Sequence, residues 1–253
     1  MKMLTPNSGA SKWSVWIQVW LLLLTCLPYG SLLAADQSSQ VFVQAVSGDV
    51  QYSLDGMNWR HLAPDTLVPA GATIKTAAAS TVDFLLRSNG SVLRLTPGSK
   101  LRLEKLFTQT IGEEFITDTR LKLLEGTLVG SQRKLHKPSQ LEIATPNSTA
   151  SIRGTEYVVN ANGAVSVLSG EVSVNYNLPG NGGDIKVTIK PGETFDPATG
   201  KVVATTAAFL QNLIADINTV KQNAMVFKAG GATIVVKNTN DEKVSPTQGT
   251  TAK

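Results

Sequence analysis

Three acidic residues, Glu113, Glu114 and Asp118, lie close together in the segment IGEEFITDT. Glycoside hydrolases usually catalyse cleavage with a pair of carboxyl groups, and the two groups can come from distant parts of a chain. Such chemistry needs one carboxyl group whose pKa is raised, usually by burial. Nothing around these residues indicates burial, so we predict a solvated loop. A carboxylate-dependent hydrolase is the least favoured of the functions considered.

The other reactive residue types form no recognisable catalytic set. Ser131 and Lys134 fit the S-x-x-K pattern of penicillin-binding enzymes, but neither S-D-N nor K-T-G accompanies them. The two histidines, His61 and His136, lack a spacing that would place two metal ligands on one helical face. The segment GNGGD, residues 180–184, lacks the lysine and the helix of a phosphate loop. The sequence predicts a non-enzymatic protein with no cofactor and no metal.

The composition predicts that a β-sheet positions these residues. Only 17% of the residues are charged and 42% are hydrophobic. Glycine, serine, threonine and valine are frequent, which is typical of short strands joined by tight turns. From Gln40 onward, short alternating segments are separated by turn residues, including a hairpin about Asn89 and Gly90. We expect a mainly β fold, either an irregular two-sheet sandwich or a β-roll of solenoid-like form.

Three glycines share one local pattern. The pattern is an apolar residue, any residue, the glycine, any residue and a second apolar residue. It occurs as VSGDV about Gly48, LEGTL about Gly126 and LSGEV about Gly170. Glycine accepts the positive φ of a strand that bends sharply. The intervals between the three glycines are unequal, which excludes a regular repeat array. The pattern therefore predicts corners or strand entries.

The periodicity changes near the C-terminus. In AAFLQNLIADINTVKQNAM, apolar residues recur at steps of three and four, which predicts one amphipathic helix that packs on the sheet. GGATIVVKN predicts one further strand. We assign residues 36–203 to the β domain, 204–237 to the C-terminal helix and strand, and 238–253 to a disordered polar tail.

The first 35 residues have the features of a secretory signal peptide. Lys2 and Lys12 precede an apolar stretch, and small residues follow it, so we expect cleavage after Ala34 or Ala35. An uncleaved anchor is the alternative, but the stretch is short for a membrane span and Pro28 interrupts it. Lipid attachment at Cys26 is disfavoured because Thr25 is larger than the residue that such cleavage tolerates.

Removal of residues 1–35 changes the chemistry of the chain. Cys26 is the only cysteine, so the mature protein cannot form a disulfide. Loss of Lys2 and Lys12 lowers the net charge from +4 to +2, which does not indicate nucleic-acid binding. We expect a periplasmic or secreted protein without a membrane span.

An ordered series of segments resembles the FecR domain, a periplasmic β module named after the ferric citrate sensor protein. The series runs over residues 41–196 and includes SGDVQY, LLEGTLVG, IATPNSTASIRGTEYVV and KPGETF. The most specific part, Thr145 and Pro146 followed by Arg153, Gly154 and Thr155, is similar to the threonine-proline and arginine-glycine-threonine signature of the family.

We predict that these signature residues are structural. Pro146 suits a turn or strand edge, and Gly154 suits a bulge that places Arg153 and Thr155 on the same side. Arg153 would then bond backbone carbonyls or a carboxylate such as Glu142 or Glu156. Binding of an anionic ligand or partner by an exposed Arg153 is the alternative.

The segment SLDGMNW, residues 53–59, resembles the aspartate-box turn of sialidase-type propellers. Propellers repeat this turn in each blade, whereas this chain has it once, so we exclude a propeller. Trp59 is expected to fill the core beside the turn rather than to stack on a sugar.

The FecR resemblance implies, for the sensor members, a transmembrane anti-sigma regulator with a cytoplasmic head. Only about a dozen residues precede the apolar segment, too few for such a head, so we do not transfer that activity. The sequence instead predicts an exported, non-catalytic interaction module of the cell envelope. Its expected partner is an envelope protein, and a cell-wall polysaccharide such as peptidoglycan is the alternative.

Overall fold

The computed structural model describes residues 37–111, 114–134, 137–177, 183–224, 226–229 and 232–235, which all lie in the compact unit Ala35–Lys253. Within these ranges the chain has nineteen strands and one α-helix. The prediction of a mainly β fold with one C-terminal helix is therefore confirmed. The predicted signal peptide, residues 1–35, and the predicted tail, residues 238–253, lie outside the described residues.

The elements follow one another along the chain. They are β1 (Gln37–Ser38), β2 (Gln40–Ser47), β3 (Val50–Ser53), β4 (Arg60–His61), β5 (Leu67–Pro69), β6 (Thr73–Thr76), β7 (Thr81–Leu86), β8 (Ser91–Leu95), β9 (Lys100–Ile111), β10 (Glu114–Glu125), β11 (Thr127–Ser131), β12 (Gln140–Ala144), β13 (Ser148–Asn160), β14 (Val165–Asn177), β15 (Asp184–Ile189), β16 (Glu193–Asp196), β17 (Lys201–Ala204), α1 (Ala207–Ala224), β18 (Val226–Ala229) and β19 (Ala232–Val235).

Two long strands, β13 and β14, organise the sheet. They pair with each other in antiparallel fashion, from Ser148 opposite Tyr176 to Val159 opposite Val165. The first half of β13 pairs with β12, and its second half pairs with β11. Likewise, one half of β14 pairs with β16 and the other half with β15. Each long strand therefore belongs to two parts of the curled sheet.

From β13, the sheet continues in two branches. The β7 branch contains β11, β8, β7, β2 and β5 in order of pairing. The β9 branch contains β12, β10, β9, β6, β3 and β4, and its β12–β10 pair is parallel. Since β1 pairs with β9 while β2 pairs with β5 and β7, residues 37–47 connect the branches a second time.

Both branches contribute to one hydrophobic core. Successive side chains of a strand point to opposite faces, and the alternate inward residues of both branches are buried together. Phe84 and Leu93 come from the β7 branch, Leu101 and Leu121 come from the β9 branch, and Tyr157 comes from β13. Burial of apolar side chains from the two branches against each other is thus the main stabilising interaction.

Two of the patterned glycines lie where the chain passes from one branch to the other, and the third lies at the bend of a long strand. Gly48 separates β2 from β3, Gly126 separates β10 from β11, and Gly170 lies within β14 between its two halves. Their φ angles are 76°, 77° and 78°. A Cβ at Gly126 would lie 2.0 Å from Ser99 Oγ, and one at Gly170 would lie 2.3 Å from the Gly154 carbonyl oxygen. The predicted corners are confirmed.

Helix α1 packs on the outer face of the β7 branch. Its buried residues Leu213 and Ile217 contact Val129 of β11 and Val158 of β13. The predicted role of the apolar stripe in packing is therefore confirmed. Within the described ranges, no helix is both long enough and apolar enough to cross a bilayer.

Charged contacts also hold the helix on the sheet. Arg94 of β8 donates two hydrogen bonds to Asp83 of β7, at 2.7 and 2.8 Å, and these side chains are 13% and 3% exposed. From α1, Asn223 Nδ2 donates to Asp83 at 2.6 Å, and Asp216 lies 3.6 Å from Arg94. A further ion pair joins Lys221 to Glu156. The position of α1 thus depends on a buried carboxylate.

Replacement of Gly170 by alanine tests the corner. We expect Gly170→Ala to lower the free energy of unfolding by about 3 kcal/mol, because it combines a left-handed backbone with a clash against backbone. Gly98→Ala is the matched control, since Gly98 also has a positive φ of 65° but open space around it. Its expected cost is about 1 kcal/mol. Urea unfolding measures both values, and equal losses would contradict the proposed crowding.

Removal of Arg94 tests the buried ion pair. Arg94→Gln leaves the Asp83 carboxylate without its bidentate partner, so we expect a loss of about 3 kcal/mol in the free energy of unfolding. The control is Arg120→Gln, which removes a half-exposed arginine from contacts at 3.5 and 3.6 Å with Glu142 and Asp118 and should cost about 1 kcal/mol or less. A cost for Arg94→Gln no larger than that of the control would contradict this role.

Candidate binding surface

The acidic segment is a strand rather than a loop. Glu114 and Asp118 lie on β10, which pairs along its length with β9, and Glu113 lies outside the described residues. The predicted solvated loop is therefore wrong for residues 114–118. The physical reason is the run of threonine and isoleucine on both strands, which favours extended pairing over a turn.

Asp118 is paired with cations. Its carboxylate accepts a hydrogen bond from Lys105 Nζ and lies 3.6 Å from Arg120 Nε. Burial by itself raises the pKa of Asp118, but the contacts with Lys105, Gln140 and Arg120 outweigh that effect and leave the pKa below its ordinary value. Asp118 is therefore ionised at neutral pH and unsuited to act as a general acid.

The first part of the signature forms a tight turn between β12 and β13. The backbone N–H of Thr145 donates to the Ser148 carbonyl at 2.7 Å, and the Ser148 N–H donates to Thr145 Oγ1 at 3.0 Å. Both side chains are buried, whereas Pro146 is exposed at the tip. Thr145 and Ser148 thus connect the two strands through their own polar groups.

The second part of the signature lies at a bulge in β13. Gly154 has a φ of 67°, and a Cβ there would lie 2.9 Å from the Lys134 backbone. Thr155 is 1% exposed, and its hydroxyl donates to the Glu171 carbonyl at 3.0 Å. Arg153, in contrast, is exposed. The expectation that Arg153 and Thr155 share a side is wrong because Thr155 points inward and Arg153 points to solvent.

The predicted ion pair of Arg153 is also absent from the described residues. Glu142 lies 3.5 Å from Arg120, and Glu156 pairs with Lys221 of α1. Both carboxylates are thus taken by cations from other elements. A structural role for Thr145, Pro146, Gly154 and Thr155 stays a prediction, while Arg153 is a solvent-facing cation.

A different segment, the turn between β3 and β4, presents apolar side chains. We call residues 53–59 the Asp55 turn. Asp55 Oδ1 accepts hydrogen bonds from the backbone N–H groups of Met57 and Asn58 at 2.8 and 2.7 Å and from the Ser53 hydroxyl at 2.9 Å. Asn58 Nδ2 donates to Oδ2 at 2.6 Å. One carboxylate therefore fixes the conformation of the whole turn.

The pKa of Asp55 is held far below its ordinary value. The causes are, in order, the backbone N–H of Asn58, the Asn58 amide, the backbone N–H of Met57 and the Ser53 hydroxyl, which all favour the charged form. The carboxylate remains ionised throughout the physiological pH range. The hydrogen bonds that require the charged form of Asp55 are therefore retained in that range.

The Asp55 turn exposes two large apolar side chains. Leu54 is 60% exposed and Met57 is 80% exposed. Trp59, at the end of the turn, is half-buried, and the Lys75 ammonium lies 4.0 Å from its ring centroid. The expectation that Trp59 fills the core is wrong, because its ring lies beside Lys75 and outside the core cluster.

A pocket of about 370 Å³ lies where α1 begins, beside the turn from β13 to β14 and the strands β16 and β17. The pocket lining combines seven uncharged polar residues with five apolar ones, and most of its exposed surface is apolar. The polar lining residues are Thr127, Asn160, Asn162, Ser166, Thr194, Thr205 and Thr206, and the apolar ones are Val158, Ala164, Val203, Ala204 and Phe209. Sequence analysis missed this pocket because its residues come from five strands, two turns and a helix.

No metal site accompanies these features. Over the parts of the chain that the structure describes, no group of three or more histidine, cysteine or acidic side chains could hold a metal ion. His61 lies 3.2 Å from Asp49 on the surface, and His136 lies outside the described residues. The features that distinguish the surface are thus the Asp55 turn and the uncharged pocket.

These observations define a mainly β domain whose described surface carries the rigid Asp55 turn and an uncharged pocket. Residues 72–173 match the model of the FecR protein family. The resemblance seen in the sequence is therefore confirmed over this part of the chain. The match points to a regulatory, non-enzymatic family.

Solved structures also match the chain. Two crystal structures of a "putative anti-sigma factor" from Parabacteroides distasonis ATCC 8503, at 1.65 and 2.50 Å resolution, are 18% identical to it, each with a TM-score of 0.41. Each covers 56% of this chain, which in turn covers 64% and 63% of them, less than two thirds of their length. No curated protein matches the chain.

Substitution of the signature residues shows which of them stabilise the fold and which only lie on its surface. Thr155→Val removes the buried bond to the Glu171 carbonyl, so we expect a loss of about 1.5 kcal/mol in the free energy of unfolding. Arg153→Ala should change it by less than about 0.5 kcal/mol, because the side chain is exposed and unpaired among the described residues. Chemical denaturation measures both, with Ser151→Ala as a same-strand control. A larger effect for Arg153 than for Thr155 would contradict these assignments.

Proposed function

We propose that this chain is an exported, non-catalytic module that binds a protein of the bacterial cell envelope through the Asp55 turn. The observation that carries the proposal is the display of Leu54 and Met57 on a turn whose conformation one carboxylate fixes. The FecR match supports a signalling-related role for this binding.

These apolar side chains are unusual because they occur together in one turn, not because each of them is exposed. Single exposed apolar residues are common on protein surfaces. Here Leu54, Met57 and the half-buried Trp59 occur within one short turn. Methionine and tryptophan are enriched in protein interfaces, and tryptophan is frequent among the residues that dominate binding energy. The composition of the turn therefore favours a protein partner.

The rigidity of the turn has a consequence for affinity. Ordering a flexible loop on binding costs free energy, which reduces affinity. The hydrogen bonds to Asp55 fix the turn before any partner arrives. A partner can then contact Leu54 and Met57 without ordering the backbone that carries them.

Export rests on the N-terminal sequence and on the family. The apolar stretch of residues 13–30 and its small-residue exit favour a signal peptide with cleavage near Ala34 or Ala35. FecR proteins are typically associated with the envelope, which agrees with such a route. We accordingly place the module in the periplasm or outside the cell.

Site-specific photo-crosslinking in the native cells tests the proposal. A photoreactive amino acid at Met57 should give one dominant crosslinked protein species. The same group at Leu67 of β5, which is also exposed at 48% but lies away from the turn, is the matched control. Equal crosslinking from both positions, or none from Met57 in the envelope fraction, would overturn the proposal.

Changes in the turn should weaken binding of the crosslinked partner. Replacement of both Leu54 and Met57 by serine removes the proposed contacts, and we expect the dissociation constant to rise about tenfold or more. Asp55→Ala should weaken binding by several-fold because it frees the turn without removing a contacting side chain. Surface plasmon resonance measures both, with Leu67→Ser as control. An unchanged affinity in the double variant would contradict binding through this turn.

A further inference from the structure

The pocket beside the start of α1 is a second feature of the surface, separate from the Asp55 turn. Its polar groups are held in place by neighbouring protein atoms. In the turn from β13 to β14, Asn160 Oδ1 accepts from the Asn162 N–H at 3.0 Å, and Asn162 Oδ1 accepts from the Ala164 N–H at 2.9 Å. Asn160 Nδ2 donates to Thr127 Oγ1 at 2.9 Å. The amides are thus oriented before a ligand binds.

In another part of the lining, three hydroxyl groups form a chain. Ser166 Oγ lies 2.8 Å from Thr194 Oγ1, which lies 2.7 Å from Thr205 Oγ1. Three hydroxyls carry three protons, and two hydrogen bonds use two of them. One proton and several lone pairs therefore remain for a ligand. The free Asn162 NH₂ group adds two donors, since it bonds to no other described residue.

The apolar part of the pocket lies beside these polar groups. Phe209, in the first turn of α1, is 42% exposed, and Val203 of β17 is 47% exposed. An aromatic ring in this position offers a flat apolar face to a ligand that also bonds the hydroxyls and amides. None of the lining residues is charged.

We infer that this pocket binds one residue of a neutral glycan. A sugar ring has hydroxyl groups that both donate and accept, which match the mixed hydroxyl and amide lining. It also has a C–H face that can pack on Phe209. The volume of about 370 Å³ lies at the lower end of the range of small-ligand pockets, which leaves room for one sugar ring.

Other ligand classes fit less well. An anion would require a positive side chain, and the lining has none. A purely apolar ligand would leave the chain of Ser166, Thr194 and Thr205 without partners for its remaining donor. An extended peptide could contact Val203 but does not need the convergent hydroxyls. The lining therefore favours a neutral, oxygen-rich ligand.

Nuclear magnetic resonance titration of the full chain with short glycans tests this inference. The neutral probes are β-linked tetramers of glucose and of N-acetylglucosamine, and the charged probe is a tetramer of galacturonate. At millimolar concentration we expect at least one neutral tetramer to shift the amide signals of residues 160–166, 194 and 203–209. The charged tetramer should leave these signals unchanged.

Two variants with a matched control make the test specific. Thr194→Val interrupts the hydroxyl chain and Phe209→Ser removes the aromatic face, and each should weaken binding about tenfold. Thr188→Val, an exposed change on β15, should leave binding unchanged. Phe209 is partly exposed on the helix surface, so its replacement should not affect folding.

Several results would overturn the inference. These are the absence of shifts with both neutral tetramers, shifts confined to other parts of the chain, equal binding of the galacturonate tetramer, or unchanged affinity in the Phe209→Ser variant. Because the double variant at Leu54 and Met57 leaves the pocket intact, it should bind the glycan normally. Failure of the glycan test would therefore not affect the proposed protein binding, and the reverse also holds.

Discussion

The architecture depends on close backbone approach at the points where the chain passes between the two branches of the sheet. At Gly170 of β14 the carbonyl oxygen of Gly154 occupies the space that a Cβ would need. Both glycines have a positive φ, so two adjacent long strands bend at the same place. This shared bend allows β13 to pair with both branches, through β11 and β12, while β14 follows it and pairs with β15 and β16. Both strands contribute to the one core.

The positions of the surface features follow from this arrangement of the sheet. Since the β7 branch has its inner face in the core, its outer face is available to α1, which covers Val129 and Val158. The helix begins after β17 and leaves the hydroxyl-lined pocket beside its first turn. The Asp55 turn belongs to the β9 branch, where it only connects β3 to β4. Because this turn only connects two strands, Leu54 and Met57 can be exposed on it without reducing the apolar surface that is buried in the core.

The sequence correctly predicted those features that depend on a local pattern of residues. The positive φ at Gly48, Gly126 and Gly170, the stripe of α1 and the hairpin about Asn89 and Gly90 each depend on residues close in the chain. The predictions from the sequence were wrong where a side chain contacts a residue far away in the chain. Glu156 pairs with Lys221, 65 positions away, so it was not available to Arg153. Trp59 contacts Lys75, and the pocket assembles residues 127–209, which no spacing reveals.

The same remote contacts bear on catalysis. Acid and base chemistry needs a carboxyl group whose pKa is raised, and cations lower it. Asp118 bonds Lys105, and Asp83 bonds Arg94. Glu142 and Glu156 lie within ion-pair distance of Arg120 and Lys221. These pairs connect strands to each other and to α1, and the contacts with Lys105, Gln140 and Arg120 hold the pKa of Asp118 below its ordinary value. The uncharged pocket and the Asp55 turn lie outside this network of ion pairs, and the two proposed binding functions rest on them.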